Sequence, residues 1–449
     1  PYGKLKAATD LVLDGQTLTL TKLQADGMGV RVRSPKPLAI DLEKTLIDGR
    51  IAWSAGNLAS LARLAGAPMA GMAAGSVVFK PQQGRQNLTV DAKLERGKVG
   101  DAAVSLLTVK AAIRDALGRV PGVDASVHGE TITAGDVEIT PVDLTLKGPL
   151  NALAVSGSLA GTAPDGKPLA GEWAAKVDVL KVPISATVST LIARYAKEEV
   201  QLTAPLKLTS GNGLTRMDGL ALAVPGGSIS GDAEVRGQAL LVALAIKLPD
   251  ITRLAKLAGA PIEAGSIDAS IDYDSRKSAR VFADIIDLRM ADLPTGAEAL
   301  TVQLRSFWDG KEARASAQVG GGFGDPIHAD VVTAMKPSGG FVPKPAPTAP
   351  LSGQVRWSGR AERLWSLVPA ADHYLAGQVD IDLRIGGTIG DPSVSGRSDI
   401  TDGRYENLEA GTILTKLQAK SQVAADGGFL VTVDARDPVG APVSAQIEV

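Results

Sequence analysis

Gly377-Gln378-Val379-Asp380-Ile381-Asp382-Leu383-Arg384-Ile385-Gly386 is the stretch that decides the fold. Val379, Ile381, Leu383 and Ile385 alternate with Asp380, Asp382 and Arg384. Successive strand side chains point to opposite faces, so this pattern describes a strand with one apolar and one wet face. The same period of two recurs at Leu88, Val90, Ala92, Leu94, at Ile267, Ala269, Ile271, Tyr273, and at Val443, Ala445, Ile447, Val449. Shorter versions occupy Leu144 and Leu146, then Leu220, Leu222, Val224, then Leu300, Val302, Leu304, and Phe429, Val431, Val433.

Asp-Gly steps punctuate these runs at Asp14-Gly15, Asp26-Gly27, Asp48-Gly49, Asp165-Gly166, Asp218-Gly219, Asp309-Gly310, Asp402-Gly403 and Asp426-Gly427, with Asn212-Gly213 beside them. Tight hairpins need positive φ at their central residues, which Asp, Asn and Gly tolerate, so the steps predict antiparallel neighbours rather than βαβ crossovers. As calcium ligands they are poor, because a calcium loop brings several oxygen donors together at close spacing and none of these turns supplies them.

A second unit repeats. Leu61-Ala62-Arg63-Leu64-Ala65-Gly66-Ala67-Pro68 returns as Leu254-Ala255-Lys256-Leu257-Ala258-Gly259-Ala260-Pro261, and more loosely as Leu364-Trp365-Ser366-Leu367-Val368-Pro369. Asn57 or Asp250 is expected to cap, Leu58/Leu61/Leu64 or Ile251/Leu254/Leu257 to form an i, i+3, i+6 stripe, and the glycine to stop the turn. Short amphipathic helices near 58–65 and 251–258 follow. They are too short to stand alone and should pack on the sheet. Gly148-Pro149-Leu150 leading to Val155-Ser156-Gly157 is echoed by Gly387-Thr388-Ile389 leading to Val394-Ser395-Gly396. Such repeats suggest stacking along an axis, although their spacing is too irregular for a strict solenoid. The segment 336–350 holds Pro337, Pro343, Pro345, Pro347 and Pro350 and reads as an extended, strand-free loop or linker. It separates a repetitive region, 1–335, from 351–449.

Composition narrows the function. In 449 residues there are 50 Gly and only 4% aromatics, which argues against a thick aromatic core. Lys and Arg number 47 against 49 Asp and Glu, net −2 and without long runs of either sign, so the electrostatic footprint of a nucleic-acid binder is missing. The absence of Cys excludes disulfides and thiol chemistry and is compatible with an oxidising envelope compartment. No stretch approaches 18 consecutive apolar residues. The chain opens at Pro1 with neither Met nor a charged-then-apolar leader, as expected of an interior fragment whose export signal or anchor lies outside it.

Catalytic patterns are sparse. His128, His328 and His373 are far apart and in no metal-binding spacing. Gly320-Gly321-Gly322-Phe323-Gly324 lacks the Lys-Ser/Thr of a phosphate loop. Ser395 lacks the Gly-x-Ser-x-Gly elbow. Asp380 and Asp382 share a face, as paired carboxylates of a glycosidase would, but their alternation with apolar residues makes them the wet side of a strand. No enzyme and no cofactor is expected.

A long sheet with one apolar face covers it with a second sheet, with helices, or with a ligand. If the sheet curls, its Val/Leu/Ile/Ala lining leaves a groove whose natural guest is an acyl chain. About 0.8 kcal/mol per buried CH₂ makes a tail of some 15 methylenes worth roughly 12 kcal/mol. The expected fold is therefore mostly β, an elongated curled antiparallel sheet with a hydrophobic groove and a few short amphipathic helices. Stacking about 25 to 30 strands at about 4.8 Å would span on the order of 120 to 140 Å, a distance suited to bridging two membranes. Leu220, Leu222, Val224, Ile267, Ile271, Val379, Ile381, Leu383, Ile385, Val431 and Val433 are the expected lining.

Trp357-Ser358-Gly359, Leu364-Trp365-Ser366-Leu367, Leu375-Ala376-Gly377, Gly386-Gly387-Thr388, Pro392-Ser393-Val394-Ser395-Gly396 and above all Asp402-Gly403-Arg404-Tyr405-Glu406-Asn407-Leu408 resemble the C-terminal domain of the TamB family, the inner-membrane components of translocation and assembly modules. The earlier helix-and-strand repeats resemble, in style, the upstream part of that family and the wider AsmA-like, bridge-like lipid transfer group. The resemblance implies a periplasmic β-taco, anchored to the inner membrane of a Gram-negative bacterium by an N-terminal helix, that delivers phospholipid to the outer membrane. It also implies an outer-membrane β-barrel partner resembling TamA, engaged through a C-terminal end that this chain stops short of. An alternative expectation is a scaffold for outer-membrane or secreted β-proteins, working through exposed strand edges. A polysaccharide-active or adhesive solenoid would need aromatic sugar platforms and a carboxylate cleft, and the sequence offers neither.

Overall fold

A computed structural model of the chain describes residues 6–61, 68–291, 298–321, 324–337, 340–365, 372–423 and 428–448. Among these residues the protein is mostly β, with 32 strands and three short helical segments. The chain divides into two compact units, Pro1–Met217 and Asp218–Val449.

The first unit is an antiparallel meander. Leu46–Ala55 is its junction: one half pairs with Val30–Arg33, the other with Leu38–Asp41. From there Met69–Gln82, Arg85–Val99, Ala102–Arg114, Gly122–Gly129, Val137–Pro149, Leu153–Thr162, Pro168–Asp178 and Ile184–Tyr195 follow, each bonded to the one before. In the second unit Gly227–Arg236, Ala239–Leu248, Ile262–Asp274, Ser278–Met290, Leu300–Trp308, Glu312–Gly320, Ile327–Ala334, Leu351–Arg360, His373–Gly387, Pro392–Asn407, Thr412–Val423, Phe429–Arg436 and Pro442–Glu448 are likewise bonded in sequence order.

The Asp-Gly steps divide into two kinds. Asp14-Gly15, Asp165-Gly166, Asn212-Gly213 and Asp309-Gly310 lie at connections between strands, as expected. Asp48-Gly49, Asp218-Gly219 and Asp402-Gly403 lie inside strands, and Asp26-Gly27 ends a strand whose turn is made by Met28-Gly29. Asp426-Gly427 falls outside the described residues. The second kind arises because a positive φ serves a β-bulge as well as a hairpin. Asp402 has φ 49°, and the register slips on either side of Gly403, between Ile400 and Tyr405.

The short helices form at the expected places with a different stripe. The N-cap of Thr252–Ala258 is Ile251, which makes no side-chain capping bond, rather than Asp250, which accepts the Thr252 amide at 2.9 Å from one position earlier; Asn57 accepts the Ala59 amide at 2.9 Å, and Gly259 closes the helix at φ 68°. Ile251 and Ala255 are the buried pair, at i and i+4, whereas Leu257 is 40% exposed. One α-helical turn advances 3.6 residues, so i+6 has already rotated off the face. Near 58–65 a 3₁₀ turn covers Leu58–Leu61, and 62–65 lie outside the described residues.

Segment 336–350 is the loop of a hairpin, since the strands flanking it pair directly, His328 with Arg356 and Thr333 with Leu351. Its described part lies back on the protein. The Tyr273 hydroxyl donates to the Phe341 carbonyl and Pro350 bridges to Thr388, while just before the segment the Trp308 indole donates to the Met335 carbonyl at 2.6 Å.

Two tryptophans in the first unit lie over glycines on the neighbouring strand. Trp53 is registered with Gly75 and Trp173 with Gly157. A Cβ at Gly157 would stand 2.3 Å from the Trp173 ring and 2.7 Å from the Asp143 carbonyl oxygen. Gly157→Ala should therefore cost about 1–3 kcal/mol, read as a lower thermal midpoint followed by tryptophan fluorescence; an unchanged midpoint would remove the packing role. The hairpin beside it gives a pH test. Hydrogen bonds from Lys167 and from Tyr195 hold the Asp165 carboxyl down to about 2. A depressed acid stabilises the fold above its unfolded value and loses that contribution as pH falls through the folded one. The Gly166 amide, which donates to the Ala163 carbonyl, should lose hydrogen-exchange protection between about pH 4 and pH 2 in wild type, and at neutral pH already in Asp165→Asn.

Candidate functional site: the apolar sheet face

Directly opposed residues of an antiparallel pair point to the same face, so the register converts alternation into rows across the sheet. In the second unit one row runs Ile229, Ile246, Ala269, Ala283, Leu304, Ala317, Ala329, Val355, Leu383, Gly396, Val423, Phe429. Twelve strands contribute and no polar side chain interrupts. At about 4.8 Å per strand the row measures roughly 50 Å along the sheet. One residue away, on the other face, lie Lys247, Asp268, Asp284, Gln303, Gln318, His328, Arg356, Asp382, Arg397 and Gln422.

The first unit repeats the arrangement. Ile51, Val77, Val90, Ala111, Ala125, Leu146, Val155, Ala175, Val188 and Leu206 form a ten-strand row. On the apolar side of this unit Leu58, Met69, Leu94, Val104, Leu107 and Ile132 line a notch of about 240 Å³ beside the 3₁₀ turn.

Most of the anticipated lining residues meet in such rows. Ile271 and Ile385 belong to one row, through Val281, Ser306, Ala315, Val331 and Gly353. Val379 and Val433 share another through Ile400 and Ala419, and Ile381 and Val431 a third through Ser398 and Ser421. The Ser421 hydroxyl on that third row is satisfied within the sheet, donating to the Ser398 carbonyl at 3.2 Å. Ile267 lies between Leu248 and Ile285. Leu220, Leu222 and Val224 are half-buried on Leu214–Val224.

Burial separates these residues. Val379 is 5% exposed and packs with Trp357 and Ala361 in a small core that Ile381, Ile400 and Leu375 flank. The helix Ala361–Trp365 contributes to that core, so Val379 is covered by protein. Leu383, Ile385, Ile267, Ile271, Val431 and Val433 are half-buried, while Leu304 is 42% and Ile447 56% exposed.

Two kinds of element border the face in the second unit, and neither was visible in the alternation. Near one end of the strands the helices Thr252–Ala258 and Ala361–Trp365 set Ile251 and Ala361 against it; Ile251 reaches the backbone at Gly265, where an added Cβ would sit 3.0 Å from its Cδ1. At the other end Tyr273 and Trp308 tie down Phe341 and Met335. The Tyr273 phenol is pushed up by burial and then by Asp274. Proline spacing alone gave no signal that this loop turns back on the sheet.

The polar side chains singled out in the sequence do not assemble into a reaction centre. His128 bonds Asp143 at 2.7 Å, His328 bonds Gln318 at 3.0 Å and His373 bonds the Tyr405 hydroxyl at 2.8 Å, three separate pairings. Asp380 accepts from Ser358 at 2.6 Å, while Asp382 faces Arg356 at 3.8 Å. Ser395 stands opposite Arg384. In the glycine-rich run Gly322 and Phe323 lie outside the described residues. Among the described residues no group of three or more His, Asp or Glu could hold a metal ion, and no helix is long and apolar enough to cross a membrane. No family model, curated protein or solved structure matches the chain.

Proposed function

We propose that the apolar face carries lipid acyl chains, as part of a periplasmic protein that conducts phospholipid between the inner and outer membranes. The observation behind this reading is the unbroken twelve-strand row through Leu383, half-buried rather than sealed. A chain lying on such a surface exchanges one apolar contact for another as it moves. The roughly 12 kcal/mol that a tail of some 15 methylenes would forfeit to water is thereby not lost at any step. The opposite face, ionic and wet, keeps such a sheet soluble in an aqueous compartment. Membership of the TamB family belongs to the same proposal and rests on the Asp402–Leu408 phrase and its neighbours.

Leu383 is the residue to test, in preference to Ile381, which supports the Trp357–Val379 core. A carboxylate at Leu383 would be desolvated against the chain at a cost of several kcal/mol. Leu383→Asp should slow transfer of labelled phospholipid from donor to acceptor vesicles by at least about tenfold while the circular dichroism spectrum is kept. Arg384→Ser, on the wet face, should transfer normally. A photo-crosslinker at Leu383 should capture phospholipid and one at Arg384 should not; the reverse pattern would refute the assignment of faces.

A further inference from the structure

The wet face of the first unit carries a hollow of about 570 Å³ whose chemistry is unlike that of the apolar face. Five strands build it: Val30–Arg33, Leu46–Ala55, Met69–Gln82, Arg85–Val99 and Ala102–Arg114. Two adjacent rows give its plan. Arg33 is opposed by Ala52, then Ser76, then Asp91, then Lys110. Arg31 is opposed by Ser54, then Ala74, then Lys93. Small side chains thus floor the middle and long cations stand at the two sides, across roughly 19 Å of sheet. Arg50 reaches inward and donates from Nη2 to the Ser76 hydroxyl at 2.9 Å, and Ser76 is 5% exposed.

The charges do not cancel. Arg31 pairs with Asp26 at 2.9 Å and Lys93 with Glu95 at 2.6 Å. Hydrogen bonds from Gln24 and then Arg31 hold the Asp26 carboxyl below its usual value, and the Lys93 hydrogen bond does the same for Glu95. That leaves Arg33, Arg50 and Lys110 with Asp91, and among the described residues none of these four is in an ion pair of 4.0 Å or less. Five cations face three carboxylates in a chain that is slightly acidic as a whole. The volume suits a small ligand rather than a protein segment, and guanidinium forks match the oxygens of a phosphate group.

We propose that this hollow binds a phosphate monoester, whose dianion matches the excess of two positive charges. The site lies on the face opposite the acyl-chain rows and stands or falls independently of the lipid reading. Two sources offer the same chemistry, a free phosphate ester and a lipid whose headgroup is a terminal phosphate.

The experiment titrates the full chain with glycerol phosphate by calorimetry and, separately, measures its co-flotation with phosphatidylcholine vesicles with and without phosphatidic acid. Saturable binding is expected in at least one arm, and the arm that responds identifies the source. Arg33→Ser combined with Lys110→Ser removes the two cations that make no ion pair or side-chain hydrogen bond among the described residues, and should weaken that binding by at least about tenfold. Arg384→Ser, in the other unit, should leave it unchanged. Affinity should also fall as pH drops through about 6, where the second phosphate proton is taken up. Absence of binding in both arms, or equal binding by wild type and the double variant with folding shown by circular dichroism, would overturn the proposal.

Discussion

Register is the constraint on which the rest of this structure depends. In a sheet that is apolar on one side and ionic on the other, a slip of one residue carries a strand's whole apolar set to the wrong face. Strands such as Arg85–Val99 and Pro392–Asn407 are 15 and 16 residues long, well beyond the usual five or six, so each has many chances to lose phase with its neighbours. Bulges manage the phase. In Ile184–Tyr195 the pairing passes from Trp173 with Leu191 to Ala175 with Val188. The partners advance by two residues on one strand and three on the other, and Val188 and Leu191 still reach the apolar side. Ile285 and Leu288 opposite Val302 and Leu300 repeat the device, with Asp287 in positive φ between them.

That mechanism explains what could and could not be read from the amino-acid sequence. Where the phase is unbroken, as from Val379 to Ile385, alternation alone identifies the strand and its faces. Where a bulge intervenes, apolar residues fall three apart and the pattern looks like a strand end, so the strands are longer than the alternation suggested. Asp402-Gly403 is ambiguous in sequence for the same reason: positive φ is a requirement shared by turns and bulges, and only the partner strand decides between them. The helix copies were legible in position because caps and glycines are local signals. Their buried residues were less so, since Ala255 is buried by what lies beneath it. The rows of the candidate site are a property of many strands together, and no single stretch of sequence contains them.

The two faces also divide the chemistry. On the wet side Arg305 reaches Asp284 of the neighbouring row at 2.6 Å, and Arg356 lies 3.8 Å from Asp382, directly opposite it in its own row. Such exposed pairs contribute little stability individually. Where such pairs occur, charge is matched across strands, which it is not around Arg33, Arg50 and Lys110.

The poverty in aromatics and wealth of glycine acquire a physical meaning from the register. Large side chains on the apolar face repeatedly stand opposite glycine: Trp53 with Gly75, Trp173 with Gly157, Leu107 with Gly129, Leu159 with Gly171 and Leu383 with Gly396. Each bulky group can spread over the empty place beside it, which lowers the relief of the surface. A core sealed against another layer would favour interdigitation, with tall residues of one layer filling gaps in the next to interior density. A surface levelled within its own layer suits the guest proposed above, which has no fixed shape and would slide along the rows, because a level stretch of wall holds a methylene chain at no one place. On the proposed reading, small residues on this face would serve transport as well as packing, and enlarging one, as at Gly396, would add both strain against the Asp382 carbonyl, 2.2 Å from its Cβ, and a step in the surface.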